Sequence, residues 1–194
     1  MSTPAASPAR LPRSARRAQL LRAAAHAFLA RGYDGSSMDD VALEAGVTRL
    51  IVYRHFSSKA ALYGAVLDTV LAEMGRRFDG APDGPSRGSV AAILLSVGRA
   101  NPAAFQLLWR HAAHEPEFAN RVAFLNEHVH AAARAALAAS ISDAVTLEWA
   151  ARTSGAHLLE GICTWLDLGP PARDDEFAAA MHRGLEALAV AWKG

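Results

Sequence analysis

The chain contains little of what disulfide-bonded, membrane-spanning or strand-rich proteins need. Cys163 is the only cysteine among 194 residues, so no intramolecular disulfide can form, and a reducing cytoplasm is the simplest setting. No run of eighteen apolar residues occurs, and residues 1–12 lack the apolar segment of a secretion signal. Runs of β-branched residues are scarce, whereas Ala, Leu and Arg are frequent. We therefore expect an all-α, cytoplasmic protein without a membrane partner.

The sequence motifs of common enzymes and metal sites are also missing. We find no GxSxG, no P-loop, no Rossmann glycine pattern, no HExxH and no CxxC pair. His111 and His114 stand three residues apart beside Glu115, yet no cysteine lies nearby, and a structural or solvent-facing role is favoured over metal binding. The sequence predicts no catalytic residue, no metal and no cofactor.

The formal net charge of +1 conceals an uneven distribution of charge. Nine basic and four acidic residues lie in residues 1–60, giving +5, whereas 11 basic and 15 acidic residues follow, giving −4. Positive charge on the first part favours contact with phosphates. Residues 1–13 form a proline-rich tail with a basic end, which we expect to be disordered. A solvated tail is its commoner explanation, and an arm that follows a DNA minor groove is the alternative.

Residues 32–62 contain the most informative pattern, which is two short helices joined by a tight turn. Gly46 can adopt the positive φ that such a turn requires. Ser37 and Asp40 resemble a capping box at the start of the first helix, and Thr48 lies where the N-cap of the second helix belongs. A helix-turn-helix places its second helix in the DNA major groove, so the pattern predicts a function as well as a structure.

The second short helix has two different faces. Val52 and Phe56 are four residues apart and are expected to point inward together. The opposite face presents two cations, a phenol and an aliphatic group, which suit phosphates, base edges and thymine methyls, although two outward cations are also typical of a solvated face. Ser57 or Ser58 can cap the next helix, whose N-terminus attracts a phosphate. The predicted DNA-binding residues are Ser37, Thr48, Arg49, Leu50, Tyr53, Arg54, His55 and Lys59.

These residues resemble the DNA-binding signature of the TetR (TetR/AcrR) family of transcriptional regulators. The positions that carry the resemblance are Leu20-Leu21, Ala23-Ala24, Phe28, Gly32-Tyr33, Ser36-Ser37, Val41-Ala42, Ala45 to Thr48, Tyr53, Phe56 and Lys59. The chain departs from the family at Leu50 and Ile51, where small residues are common, and at Asp39, where a basic residue is common. The resemblance implies an N-terminal three-helix helix-turn-helix domain followed by a helical domain for ligand binding and dimerisation.

Helical periodicity and helix breakers divide the chain into about nine helices and no strands. The predicted helices outside the helix-turn-helix cover about residues 14–31, 59–78, 89–100, 102–115, 117–139, 143–168 and 173–192, with a loop at residues 79–88. We assign residues 1–13 to the tail, 14–60 to the DNA-binding domain, and 61–194 to the ligand-binding and dimerisation domain.

Two further sets of residues are assigned with the help of the resemblance. Apolar walls with a few polar groups are typical of a small-molecule pocket and equally of a helical core. The resemblance favours a pocket for a small apolar or amphipathic ligand, with Phe105, Leu108, Trp109 and His128 as its residues. Apolar stripes on the last two helices cover either the chain's own core or a partner. The resemblance implies a four-helix homodimer interface, to which we assign Leu158, Trp165, Met181, Leu185 and Leu188.

The resulting hypothesis is a homodimeric, DNA-binding transcriptional regulator. We expect a repressor that a small ligand releases from a near-palindromic operator, because ligand in the middle helices shifts the helix that begins near Lys59. The alternative is a ligand-independent or activating DNA-binding helical dimer.

Overall fold

The computed structural model of the protein describes residues 11–79 and 87–192, and every regular element within these ranges is helical. It contains nine α-helices: α1 (Arg13–Arg31), α2 (Met38–Glu44), α3 (Arg49–His55), α4 (Lys59–Asp79), α5 (Arg87–Ala100), α6 (Pro102–Gln106), α7 (Ala119–Leu137), α8 (Ala144–Leu168) and α9 (Asp174–Ala191). The predicted all-α class and the predicted number of helices are therefore confirmed for the described residues.

The ends of some helices differ from the sequence prediction. α1 begins at Arg13, so this residue belongs to a helix and not to the tail, of which residues 1–10 lie outside the described ranges. α6 continues as a π-helical segment (Leu107–His111) and two 3-10 turns (Ala112–His114 and Pro116–Phe118). Pro116 separates the two 3-10 turns, because a proline drives the residue before it out of the α-region, and Glu115 has φ −106° and ψ 104°. The predicted loop at 79–88 lies mostly outside the described residues.

Two glycines end the helices of the N-terminal part as the sequence predicts. Gly32 follows α1 with φ +73°, and Gly46 lies between α2 and α3 with φ +63°. No neighbouring atom lies within 4 Å of a Cβ built on either glycine. Glycine is therefore favoured at both positions by the positive φ of the backbone and not by close packing of neighbouring atoms.

One hydrophobic core runs through the N-terminal and C-terminal parts of the molecule. α1 contributes Leu20 and Phe28, which are fully buried and pack against α2, α4 and α6. α4 begins in the helix-turn-helix and extends into the C-terminal part, burying Leu62 and Leu67 on the way. The predicted boundary between residues 60 and 61 thus lies in the first turn of a helix that both parts share.

The C-terminal part is built from pairs of helices, α7 against α8 and α5 against α9. A polar cluster joins α5, α8 and α9. Arg99 Nη2 donates to Asp174 Oδ1 at 2.8 Å and to the carbonyl of Gly169 at 2.6 Å, and Trp165 Nε1 donates to the same carboxylate at 2.7 Å. The Trp165 ring stacks on Phe177 with centroids 4.8 Å apart. Trp165 therefore joins α8 to α9 within the protomer, through its hydrogen bond to Asp174 and its stacking on Phe177.

No single helix in the described ranges is long and apolar enough to cross a membrane. Residues Val90–Ala100 and Pro102–His114 meet the criteria of length and composition only as a pair, and this pair is bent by 117°. Their apolar residues, such as Leu94, Phe105 and Leu108, are buried in the core.

Candidate nucleic-acid interface

The predicted capping box is present at the start of α2. Ser37 Oγ accepts a hydrogen bond from the backbone N–H of Asp40 at 3.2 Å, and the Asp40 carboxylate accepts one from the backbone N–H of Ser37 at 2.9 Å. The Ser37 hydroxyl also donates to Asp40 Oδ2 at 2.6 Å. These bonds from Ser37 lower the pKa of Asp40 below its usual value. The Ser37 hydroxyl is thus engaged in the cap, and its contact with DNA stays a prediction.

α3 divides into an inward and an outward face as the sequence predicts. Val52 is fully buried and Phe56 is 5% exposed, so both anchor the helix in the core. The outward residues are Arg49, Leu50, Tyr53 and Arg54, all of which are exposed. Thr48 occupies the N-cap position with an extended backbone, but its side chain makes no capping hydrogen bond. The face is accessible to a large ligand such as a DNA groove.

The outward face of α3 is linked to α2 by an ion pair. Arg49 Nη1 donates to Asp39 Oδ2 at 2.7 Å, and Arg49 Nη2 donates to the Tyr53 hydroxyl at 3.3 Å. The Arg49 guanidinium also lies 5.2 Å from the centroid of the Tyr53 ring. The Tyr53 hydrogen bond and the Asp39 charge raise the pKa of Arg49 above its usual value. Sequence reasoning noticed Asp39 only as a departure from the family pattern and did not find its partner.

Lys59 has a different environment from the one that its sequence position indicates. Its ammonium group donates to the carbonyls of Tyr33 at 2.8 Å and Ser36 at 3.2 Å, and it lies 4.3 Å from the centroid of the Tyr33 ring. Ser58 Oγ caps α4 by accepting from the N–H of Ala61 at 3.0 Å. Lys59 therefore holds the segment between α1 and α2 against the start of α4. One N–H of the ammonium remains for a phosphate, and that contact stays a prediction.

His55 lies apart from the outward face of α3, beside the basic start of α1. Its ring is half-buried, and burial, together with the charges of Arg13, Arg17 and Arg16, lowers the pKa of His55. The Arg17 guanidinium lies 4.8 Å from the centroid of the Phe56 ring. Sequence analysis assigned these arginines to a tail or its border, whereas the helical structure places them against the end of α3.

The residues predicted to bind a ligand lie in different environments, and their role in binding stays a prediction. Phe105 and Leu108 are at most 1% exposed, because the segment from α6 to the π-helix packs against α1 and α4. His128 is exposed, with Nδ1 2.8 Å from the carbonyl of Phe124. Trp109 borders an open cleft, and its Nε1 donates to Glu160 at 2.9 Å. Among the described residues, no group of three or more His, Cys, Asp or Glu is placed to hold a metal.

Two cavities lie on either side of the α7–α8 contact. One is an apolar cavity of about 70 Å³ between α5, α7, α8 and α9, and the other is an open cleft of about 550 Å³ beside Trp109. Val129 and Gly155 border both cavities, and a Cβ built on Gly155 would lie 3.1 Å from Val129 Cγ1. The polar residues of the first cavity are Ser154, His182 and Glu186, and those of the second include Asn126, Glu127, His130 and Arg152.

The residues predicted to form a dimer interface are buried or half-buried within the protomer. Leu158 and Met181 are buried, and Leu185 and Leu188 are half-buried; Leu158 and Leu185 line the apolar cavity. The apolar stripes of α8 and α9 thus contribute to the core of the protomer, and the assignment of these residues to a dimer interface stays a prediction. The outer faces of the two helices carry Val145, Trp149, Ala180, Gly184, Ala187 and Val190, all of which are exposed.

Comparisons with known proteins agree with this geometry. Residues 20–66 match the family described as "Bacterial regulatory proteins, tetR family". The chain is 55% identical over 58 residues to the HTH-type transcriptional activator FasR of Mycolicibacterium smegmatis, and 46% identical over 54 residues to the HTH-type transcriptional regulator TtgR of Pseudomonas putida. These matches cover 30% and 28% of this chain, and 26% of the length of each relative.

The whole fold also has solved counterparts. The structure of a TetR-like transcriptional regulator from Rhodococcus sp. RHA1 superposes with a TM-score of 0.67 at 22% identity, over 91% of this chain and 99% of that chain. This likeness extends the agreement from the helix-turn-helix to the arrangement of the C-terminal helices. Residues 20–66 therefore match the DNA-binding part of the tetR family of bacterial regulatory proteins, and the described helices together have the fold of a TetR-like regulator.

Proposed function

We propose that the protein is a cytoplasmic homodimer that represses transcription by binding a near-palindromic operator and leaves it when a small apolar or amphipathic ligand binds. The proposed contact with DNA rests on the two different faces of α3. Val52 and Phe56 are buried and anchor the helix, whereas the opposite face is exposed and carries Arg49, Leu50, Tyr53 and Arg54. A helix held in this way enters the major groove with its outward face towards the bases.

The homodimer follows from the size of the contact surface. A helix of seven residues such as α3 reads few base pairs, whereas a two-fold dimer reads two half-sites of a near-palindrome. We assign the dimer interface to the outer faces of α8 and α9, since the inner faces are used in the protomer. Exposed small residues at Ala180, Gly184 and Ala187 leave room for the close approach of a partner helix.

The ligand site is assigned to the two cavities beside Val129 and Gly155. The apolar cavity suits a hydrocarbon part, and the cleft with Asn126, His130 and Arg152 suits a polar end. A volume of about 70 Å³ is small, so a ligand that enters it must move α7 relative to α8. Phe118 precedes α7 and packs against Tyr33 and Tyr63, which connects such a movement to the DNA-binding domain. Ligand and operator then oppose each other reciprocally.

Measurement of DNA affinity over a range of salt concentrations tests the proposed DNA-binding surface. DNA selected from a random pool provides the operator. Arg54→Ala should weaken binding to all sequences and reduce the slope of log affinity against log salt by about 1.8, because each protomer of the dimer loses one phosphate contact. Arg173→Ala removes the same charge from the turn between α8 and α9 and is the matched control. Equal slopes for the two variants and the parent protein would contradict the assignment.

Transcriptional activation is the second candidate. It is favoured by the 55% identity to a relative named as an activator, although that match covers 58 residues only. Transcription in vitro from a template with the selected operator distinguishes the candidates, because a repressor lowers transcript yield and an activator raises it. Screening small amphipathic compounds for release of operator DNA tests the ligand. A dimer whose operator affinity no bound compound changes would favour ligand-independent function.

A further inference from the structure

We propose that Asp39 determines DNA specificity by holding the Arg49 guanidinium in position to contact one guanine in each half-site. This inference rests on the proposed function, in which the outward face of α3 meets the major groove. Asp39 is an acidic residue on a surface whose other charged residues attract phosphates.

The Arg49 side chain is restrained from two sides. Asp39, on α2, accepts a hydrogen bond from Nη1 at 2.7 Å, and Tyr53, one turn further along α3, accepts one from Nη2 at 3.3 Å. The side chains of Arg49 and Asp39 are each 59% exposed, so the guanidinium is held where a large ligand can reach it. Two of its five N–H donors are used, and three remain, which is enough for a bidentate contact with O6 and N7 of guanine.

The position of Asp39 has little value for the fold. Exposed ion pairs contribute little to stability because water screens them and two long side chains lose freedom. The neighbouring Asp40, by contrast, takes part in the capping box with Ser37 and in an ion pair with Arg31 at 2.9 Å. Asp39 is thus the acidic residue of the first turn of α2 whose hydrogen bond goes to the DNA-facing surface.

A carboxylate at this place changes the balance between specific and non-specific binding. Asp39 repels phosphates and competes with them for Arg49, which weakens binding to any duplex. At the operator, the guanine accepts hydrogen bonds from the N–H groups of Arg49 that Asp39 does not occupy. Asp39 therefore lowers the affinity for the operator less than the affinity for an unrelated duplex. Asp39 therefore raises the ratio of specific to non-specific affinity, which is the quantity that matters for finding a site.

The variant Asp39→Asn tests this inference, with binding measured to selected operator DNA and to an unrelated duplex. Affinity for the unrelated duplex should rise several-fold, the ratio of the two affinities should fall about ten-fold, and selection from a random pool should show a weaker preference for one guanine in each half-site. Release of Arg49 to a phosphate in each protomer should also steepen the salt slope for the unrelated duplex by about 1.8. Glu44→Gln makes the same charge change at another exposed position of α2 and should keep the guanine preference.

A second background separates positioning from a simple effect of charge. In Arg49→Ala the guanine preference should already be weak, and adding Asp39→Asn should not change it further. An unchanged preference and ratio in Asp39→Asn, or the same change in Glu44→Gln, would overturn the inference. If Arg49→Ala and Arg54→Ala both bind all DNA as the parent does, the proposed DNA-binding surface itself is wrong. Circular dichroism establishes that each variant is folded.

Discussion

The ring of Phe118, just before α7, lies 5.4 Å from the ring of Tyr33, just after α1. Tyr63 of α4 completes the cluster, with its ring 4.6 Å from Phe118 and 5.0 Å from Tyr33. Burial, followed by the Glu115 charge and Tyr33, raises the pKa of Tyr63 to about 12, so this phenol stays neutral. The cluster is a packed contact between the helix-turn-helix part and the C-terminal helices, and we predict that it couples the two parts.

Truncation of Phe118 should destabilise the protein as a whole. Phe118 is 2% exposed, and Phe118→Ala should lower the free energy of unfolding by about 3–5 kcal/mol, as for other buried phenylalanines. Urea denaturation measures this change. The milder Phe118→Leu, at a cost below about 1.5 kcal/mol, should still lower operator affinity. Phe177→Leu, at the distant stack on Trp165, is its control, and equal operator affinities in both variants would argue against coupling through the cluster.

Replacement of Lys59 should cost stability even without DNA. Lys59→Met leaves the carbonyls of Tyr33 and Ser36 without their charged donor, and the free energy of unfolding should fall by about 1–3 kcal/mol. Urea denaturation of the free protein is the measurement. Arg54→Ala, which removes an exposed cation from α3, should leave stability within about 0.5 kcal/mol of the parent. Reduced DNA binding by Lys59→Met with unchanged stability would instead favour a pure phosphate contact.

The proposed dimer interface is tested at an exposed glycine. Gly184 lies on the outer face of α9, and no atom lies within 4 Å of a Cβ built on it, so Gly184→Glu should leave the protomer folded. A charge there should repel a partner helix and give monomers in sedimentation velocity experiments. Gly75→Glu, at an equally open position of α4, should keep the dimer. Dimers that persist in Gly184→Glu would place the interface elsewhere. Charges at Leu185 or Leu188 are a poorer test because both residues are half-buried within the protomer, so a charge there would also destabilise the fold.

His55 should make stability depend on pH in the acidic range. Burial and the α1 arginines lower the pKa of His55 in the folded state, so the unfolded chain binds the proton more readily. The contribution of His55 is therefore fully present above its unfolded pKa of about 6.5 and is lost as the pH falls through that value towards the folded pKa. Unfolding measured at pH 7.5 and 5.5 should show a smaller loss in His55→Gln. The exposed His26→Gln is the control, and the same pH dependence in all three proteins would contradict the prediction.

Local sequence patterns predicted the helix-turn-helix well. Gly46 has the expected positive φ, Ser37 and Asp40 form the expected cap, and Val52 and Phe56 point inward. These features depend on backbone preferences and on the helical period, which residues a few positions apart determine between themselves. The same period identified the apolar stripes of α8 and α9 correctly but could not tell what each stripe covers.

The sequence alone therefore determined most of the helices, the capping box at Ser37 and the two faces of α3, because these follow from interactions within one turn or two. Tertiary structure decided which partners meet: Arg49 with Asp39, Lys59 with the carbonyls of Tyr33 and Ser36, and Phe118 with Tyr33. The packing of the helices also buries Leu158 and Met181 within the protomer and leaves Gly184 exposed. Such contacts join residues on different helices, and only the packing of the helices against one another brings them within reach.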